Sequence, residues 1–179
     1  MRKLTMSELN RLNVEDYHNV KKLPVVIVLD NVRSMENVGA FFRTADAFRI
    51  GAIYLCGITA CPPHREIHKT ALGADESVDW RYFETTAEAC EHLRSLNYRI
   101  YAVEQVEGSI KLDGFTAQEN TAYVFGNEVE GVDDDILKYC EQAVEIPQEG
   151  TKHSLNVSVS GGILMYHIFH DLNYLLQNN

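Results

Sequence analysis

Five short apolar runs, rich in β-branched and aromatic residues, recur along the chain with segments of helical spacing between them. Strands buried on both faces have this continuous apolar character, which is typical of parallel sheets. Alternation of such strands with helices predicts an α/β fold, with a mainly parallel sheet and helices on both of its faces. The predicted strands are residues 25–29, 52–56, 98–103, 122–125 and 143–146, and the predicted helices are residues 39–48, 86–96 and 133–140.

The two ends of the chain predict further helices. Thr5 and Glu8 have the spacing of a capping box ahead of two leucines, which favours a short helix before the first strand. Residues 1–22 are therefore predicted to form a helical extension that either docks on the sheet or a partner, or faces RNA, and residues 23–179 are predicted to form a single domain. The last predicted helix, residues 155–176, has a broader apolar face than one small sheet needs, which indicates a subunit contact.

The charge of the chain bears on its possible partners. The 179 residues have a formal net charge of −10, which disfavours nucleic acid because Lys and Arg supply most phosphate contacts. Half of the 16 Lys and Arg residues nevertheless lie in the first fifty positions, so a basic N-terminal surface is compatible with an acidic chain. No apolar run has the length of a signal peptide or a membrane span, and a cytoplasmic protein is expected.

The cysteines predict neither disulfides nor a metal site. Four of them are scattered without a regular framework, and a chain of this size needs no disulfide bonds. Cys61, His64 and His68 lie within eight positions of one another. Two prolines separate the first two, however, and no fourth ligand lies nearby, so no metal is predicted.

A glycine-rich phosphate loop is absent after the first predicted strand, where the sequence is DNVRSMEN (residues 30–37). An ordinary dinucleotide or nucleoside triphosphate site is therefore disfavoured. Backbone with few bulky side chains occurs later, in IPQEGTKHSLNVSVSGG (residues 146–162). There a predicted strand end is followed by a loop and then by a helix whose first turns contain small residues. Unpaired N–H groups at a helix start, flanked by Ser and Asn side chains, predict a site for a polar ligand.

Three segments, in order along the chain, carry a family resemblance. They are NVGAFFRTA (residues 37–45), FGNEVEG (residues 125–131), and the Ile-Pro, loop and SLNVSV of residues 146–159. Together they resemble the three motifs of the SpoU (TrmH-like) branch of the SPOUT RNA methyltransferases. The resemblance implies a SPOUT methyltransferase domain at residues 23–179 with a C-terminal deep trefoil knot, a homodimer, and S-adenosyl-L-methionine as the cofactor.

The resemblance also implies two sets of site residues. The cofactor-binding set is Val103, Gly126, Ile146 and Leu155, and the catalytic set is Arg43, Asn37, Glu128, Ser154 and Asn156. Taken by themselves, Val103 and Ile146 are more typical of a strand core. Ser154 and Asn156 alone are more typical of helix caps, Asn37 is equally typical of one, and Glu128 is typical of a solvated loop.

Arg43 is the residue that the resemblance places at the reacting hydroxyl. Methylation of a ribose 2′-hydroxyl requires that oxygen to lose or share its proton while the nucleotide is held in line. A guanidinium group stays protonated at ordinary pH, so phosphate binding and charge stabilisation are favoured over proton abstraction. Asn37 lies six residues before Arg43, and the two are expected to reach one pocket, with Glu128 accepting a hydrogen bond from either.

The predicted function is S-adenosylmethionine-dependent methylation of a ribose 2′-hydroxyl in tRNA or rRNA, because only RNA offers that group. Two alternatives remain open. One is a non-catalytic RNA-binding or cofactor-sensing protein with the same fold, and the other is a methyltransferase for a small acceptor, which the acidic charge would suit.

Overall fold

The centre of the molecule is a parallel β-sheet. The computed structural model describes residues 1–5 and 7–177. The strands are β1 (Leu23–Asp30), β2 (Ile50–Cys56), β3 (Trp80–Phe83), β4 (Arg99–Val103), β5 (Ile110–Lys111), β6 (Thr121–Phe125) and β7 (Gln142–Glu145). They lie in the order β3-β2-β1-β6-β4-β7-β5, and every pair of neighbours is parallel.

Helices connect these strands in the alternation that the sequence predicts. They are α1 (Val14–Asn19), α2 (Met35–Ala47), α3 (Arg65–Ala71), α4 (Ala74–Ser77), α5 (Thr86–Ser95), α6 (Asp134–Leu137) and α7 (Val157–Leu172). Short 3₁₀ turns occur at Ser7–Leu9, Leu112–Gly114 and Asn173–Leu176.

Strand β1 divides the core into two layers because its successive side chains point to opposite faces. Val25 and Ile27 are fully buried among residues of α2, α3 and α7. Val26 and Val28 pack on the other face, against α5 and α6. The α/β fold, the parallel sheet and the helices on both faces are confirmed, whereas the deep trefoil knot stays a prediction.

Helices α2 and α7 approach one another closely at Gly161. A Cβ atom at this position would overlap the ring of Phe41, so only glycine lets the two helices pack at this separation. Strands β1, β4, β6 and β7 end at one edge of the sheet, beside the first turns of α2 and α7. That edge is where a parallel α/β fold binds its ligands.

Several predicted boundaries are wrong in extent. The helix predicted at residues 133–140 is a single turn, α6. The helix predicted at residues 155–176 begins after Asn156, whose side chain caps it, and changes to a 3₁₀ turn after Leu172. Sequence reasoning missed β3, because three of its four residues are exposed and no apolar run marks it.

The N-terminal segment is docked on the domain. Tyr17 in α1 is buried and its hydroxyl donates a 3.3 Å hydrogen bond to the carbonyl of Asp46 at the end of α2. Ahead of it, Glu8 accepts a 2.7 Å hydrogen bond from the N–H of Thr5, one half of the predicted capping box. Helix α1 therefore docks on the end of α2, and an RNA-facing role of residues 1–22 stays a prediction.

Among the described residues, no helix combines the length and apolar character needed to cross a membrane.

Candidate functional site

A cleft of about 490 Å³ opens at the carboxyl edge of the sheet, between the loops that follow β4, β6 and β7 and the start of α7. All four residues of the predicted cofactor set line this cofactor cleft, and so do Glu128, Ser154 and Asn156. The volume is within the range of small-molecule sites, about 300–1,000 Å³. The structure thus brings the second and third motifs together around one cavity.

Glu128 ties the second motif to the first. Its carboxylate accepts hydrogen bonds from the N–H groups of Arg33 and Ser34, both at 3.0 Å, and from the side-chain amide of Asn37 at 2.9 Å. These donors surround the N-terminus of α2, where the helix dipole also favours a negative charge. Burial raises the pKa of Glu128, but the three hydrogen bonds outweigh it and lower the pKa below the ordinary value of 4.5.

Asn37 extends this network to the third motif. The residue is buried, and its side-chain oxygen accepts hydrogen bonds from the amide of Asn156 at 3.1 Å and the hydroxyl of Ser158 at 3.2 Å. The side-chain amide of Asn37 donates its hydrogen bond to the carboxylate of Glu128. One buried asparagine therefore connects loops that lie about ninety and about 120 residues away along the chain.

Asn156 is the N-cap of α7. Its side-chain oxygen accepts hydrogen bonds from the N–H groups of Ser158 and Val159 at 2.9 and 3.3 Å. Asn156 can cap α7 and contact Asn37 at the same time, because its side-chain oxygen accepts from the helix N–H groups while its side-chain amide donates to Asn37. Ser154, two residues earlier, is exposed at the rim of the cofactor cleft.

Gly126 has a steric role in the loop after β6. A Cβ atom there would overlap the backbone of Gly131 and Val132. Gly131 itself has a φ of +74° and exchanges two 3.1 Å backbone hydrogen bonds with Asn127. The space that Gly126 leaves open is thus filled by the returning loop, while Gly126 itself lines the cofactor cleft.

Arg43 lies outside the cofactor cleft, in contrast to the prediction that it shares a pocket with Asn37. It is exposed and lines a second cleft, on the side of α2 that faces α4 and the N-terminal segment. Six residues of α-helix advance about 9 Å and rotate the side chain by about 120° from its starting direction. The two residues therefore leave α2 on different sides.

Sequence reasoning missed two residues of the site. Glu104 directly follows β4, and its carboxylate accepts a 3.2 Å hydrogen bond from the N–H of Val132, which holds the loop after Gly131. Its position after an apolar run, at the end of a strand, was the available signal. Ser158 continues the alternation of Ser154 and Asn156 and donates to Asn37.

No group of three or more His, Cys, Asp or Glu side chains within residues 1–5 and 7–177 is arranged to hold a metal ion.

The hydrogen bonds of Glu128 lead to a prediction about acid. The pKa of Glu128 is lower in the folded protein than in the unfolded chain. The ionised carboxylate therefore stabilises the fold at pH values above its ordinary pKa of 4.5. This contribution, about 1 kcal/mol for a partly solvated group, is lost as the pH falls through the lowered folded-state pKa. Urea unfolding at several pH values should show that Glu128→Gln is less stable than the unmodified chain at neutral pH and that the difference shrinks in acid.

Glu130→Gln is the matched control for Glu128, because it removes the same charge from an exposed position two residues away. A pH-independent difference for Glu128→Gln, or an equal effect of Glu130→Gln, would contradict this role of the carboxylate.

Asn37→Asp tests the centre of the network. The substitution replaces the amide that donates to Glu128 with a carboxylate oxygen, so two acceptors would face one another at the 2.9 Å contact. We expect the free energy of unfolding to fall by about 1–3 kcal/mol, the cost of unsatisfied buried polar groups. Asn97→Asp, at an exposed position, is the control, and equal chemical denaturation of the two variants would refute the assignment.

The fold and the cofactor cleft together define a parallel α/β protein with a cavity of small-molecule size at the carboxyl edge of its sheet. A family model described as the SpoU rRNA Methylase family matches residues 24–166. The chain belongs to the SpoU rRNA methylase family, which confirms the resemblance that its three motifs carry.

Three proteins illustrate the similarity. The 23S rRNA (guanosine-2′-O-)-methyltransferase RlmB of Neisseria meningitidis serogroup B is 29% identical over 157 residues, which are 87% of this chain and 62% of that protein. The A. aeolicus TrmH/SpoU tRNA modifying enzyme has a TM-score of 0.79 at 23% identity, covering 90% of this chain and 81% of that one. The AdoMet-bound rRNA methyltransferase from Sinorhizobium meliloti has a TM-score of 0.78 at 24% identity, covering 89% and 60%.

The chain spans 55% to 62% of the length of the first three curated relatives.

Proposed function

We propose that this chain is an S-adenosylmethionine-dependent methyltransferase that modifies a ribose 2′-hydroxyl in tRNA or rRNA. The observation that carries the proposal is the network of Asn37, Glu128 and Asn156. It joins the three family motifs in one hydrogen-bonded unit beside a cleft. Relatives named as rRNA 2′-O-methyltransferases support the reaction class.

The residues of the cofactor cleft fit S-adenosylmethionine. Val103, Ile146 and Leu155 give apolar surface for an adenine ring, and the loop after β6 brings main-chain polar groups to the same cavity. The structurally similar rRNA methyltransferase from S. meliloti was crystallised with AdoMet bound. When bound, the cofactor supplies the methyl group that is transferred.

Arg43 is proposed as the catalytic residue that contacts RNA. Its guanidinium group stays charged, so it binds a phosphate and stabilises the negative charge that develops on the attacking oxygen. Asn37, Glu128 and Asn156 are proposed as positioning residues, because their polar atoms bond to one another and to helix ends. Ser154, exposed at the rim of the cofactor cleft, is proposed to contact the nucleotide.

A homodimer is proposed to complete the site. On α7, Val159, Ile163 and Tyr166 are 49%, 38% and 59% exposed at helical spacing and form an apolar face beside the cofactor cleft. Arg43 lies outside the cleft of its own protomer. In the proposed dimer, Arg43 of one protomer meets the cofactor cleft of its partner.

Residues 1–22 are proposed as an extension docked on a methyltransferase domain of residues 23–179, in agreement with the contact of Tyr17 with the end of α2. A cytoplasmic location suits an enzyme that acts on tRNA or rRNA.

The test is methyl transfer from labelled S-adenosylmethionine to unmodified tRNA and rRNA transcripts, followed by nucleoside analysis. A labelled 2′-O-methylnucleoside is expected, and DNA of the same sequence should remain unlabelled because it has no 2′-hydroxyl. Cofactor binding without label in any RNA would support the non-catalytic alternative. Label in free nucleosides alone would support the small-acceptor alternative.

A further inference from the structure

A second cleft, of about 470 Å³, lies between the N-terminal segment and the helices α2 and α4. It shares no lining residue with the cofactor cleft. We call it the arginine cleft, because Arg11, Arg43 and Arg49 all line it.

Two separate parts of the chain supply these three arginines. Arg11 precedes α1, Arg43 lies in the middle of α2, and Arg49 lies in the turn between α2 and β2 with a φ of +50°. Tertiary structure therefore brings Arg11 to Arg43 and Arg49, from which it is more than thirty residues away in the sequence.

Within the described part of the chain, none of the three guanidinium groups forms a side-chain hydrogen bond or an ion pair. By contrast, Arg2 pairs with Glu8 and Arg99 pairs with Glu141. An arginine presents five N–H donors in a planar fork that matches the oxygens of a phosphate. The three guanidinium groups thus have five N–H donors each, none with a hydrogen-bonded acceptor among the described residues.

Two acidic residues also line the arginine cleft. Asp46 is already engaged, since one carboxylate oxygen accepts a 2.6 Å hydrogen bond from the hydroxyl of Ser77. Glu76 is exposed at the same cleft. Three positive and two negative side chains leave one net positive charge there, in a chain whose net charge is −10.

The rim of the arginine cleft is apolar. Leu12, Val14 and Leu72 are 41%, 42% and 68% exposed beside the arginines. A free inorganic anion would make no use of this surface. A phosphate that carries a ribose and a base would place them against it, so the combination favours a nucleotide unit of a polymer over a small ion.

The wall that carries Arg11 is held in place. The helix after it is capped by Asn13, whose side chain accepts a 2.7 Å hydrogen bond from the N–H of Asp16. Tyr17 then anchors this helix to the carbonyl of Asp46. The arginine cleft is therefore formed before any ligand binds, which lowers the entropic cost of binding.

We propose that the arginine cleft binds a backbone phosphate of the substrate RNA, next to the nucleotide that is methylated, with Arg11 and Arg49 as positioning residues. The proposal rests on the proposed function, because it is Arg43 that links this cleft to the reacting hydroxyl. Phosphate contacts set the register and orientation of a nucleic acid without reading its sequence. The arginine cleft would thus supply RNA affinity that the net charge of the chain opposes.

The experiment compares Arg11→Gln, Arg49→Gln and the control Arg81→Gln with the unmodified chain. Arg81 is an exposed arginine on β3 that lies over the ring of Phe83, on the opposite face of the sheet. RNA affinity is measured by fluorescence anisotropy over a range of salt concentrations, with the transcripts used for methyl transfer. Cofactor affinity is measured by calorimetry on the same samples.

Arg11→Gln and Arg49→Gln should each weaken RNA binding roughly tenfold, the loss of about one charge-assisted contact. The slope of log K against log salt should become shallower by about 0.7–1 for each variant. The KM for RNA should rise while kcat is retained, and Arg49→Lys should restore the salt slope because it keeps the charge.

Two results would overturn the proposal. One is RNA affinity and salt slope in Arg11→Gln and Arg49→Gln equal to those of Arg81→Gln. The other is a loss of cofactor affinity in Arg11→Gln and Arg49→Gln as large as their loss of RNA affinity, which would indicate a general disturbance of the fold. RNA binding that depends on these arginines without any methyl transfer would refute the proposed function and leave the phosphate site standing.

Discussion

Gly126→Ala is expected to abolish S-adenosylmethionine binding and to lower the free energy of unfolding by about 1–3 kcal/mol, as overpacking typically does. The added methyl group would overlap the backbone of Gly131 and Val132, which has no flexible side chain to move aside. The loop from Gly126 to Gly131 would have to open, and with it one wall of the cofactor cleft. Calorimetric titration with the cofactor and urea unfolding measure the two effects.

Gly114→Ala is the matched control, because Gly114 is exposed and a Cβ atom there would have no neighbour within 4 Å. It should leave cofactor affinity unchanged and stability within about 0.5 kcal/mol. If Gly126→Ala bound the cofactor as tightly as Gly114→Ala does, the close approach of the two loop ends would have no functional consequence.

Arg43→Ala is expected to lower kcat for RNA methylation about 100-fold or more, the usual cost of removing a donor that stabilises developing negative charge. Cofactor affinity should remain unchanged, because Arg43 does not line the cofactor cleft. Arg43→Lys should recover part of the activity, since it restores the charge without the planar fork. Full activity of Arg43→Ala in single-turnover assays would exclude the proposed role.

Dimers formed from two different variants can determine whether Arg43 acts at the cofactor cleft of its own protomer or of its partner. One variant is Arg43→Ala, and the other is Leu155→Trp, which fills the cofactor cleft from a partly exposed position. If Arg43 acts on the cleft of its partner, mixing inactive Arg43→Ala with inactive Leu155→Trp restores activity, because the intact cleft then faces an intact arginine. If Arg43 acts on its own protomer, the mixture stays inactive and the proposed dimeric site is wrong.

Much of the fold could be predicted from local patterns. The continuous apolar runs of β1, β2 and β6 indicate strands because a strand buried on both faces needs apolar side chains in both directions. Strand β3 gives no such signal, since it lies at the edge of the sheet and only Phe83 is buried. The position of β3 depends on its pairing with β2, and no pattern within residues 80–83 predicts that pairing.

The candidate site could likewise be predicted only in part from the sequence. The motifs contain Asn37, Glu128 and Asn156, and the sequence predicts a hydrogen bond to Glu128 from either Asn37 or Arg43. That Asn37 also accepts from Asn156 depends on a contact over 119 residues. Such a contact depends on the sheet order and on the packing of α7 on α2, which no short segment encodes.

Local patterns predict the alternation of strands and helices, the three motifs and the residue types around the cofactor cleft, because each depends on side-chain chemistry within a short segment. Packing across the whole domain, by contrast, directs Arg43 away from the cofactor cleft and places it beside Arg11 and Arg49. Packing also brings the backbone of Gly131 into the space beside Gly126. Neither position could be predicted from the sequence, because helix rotation and loop closure place side chains relative to distant segments.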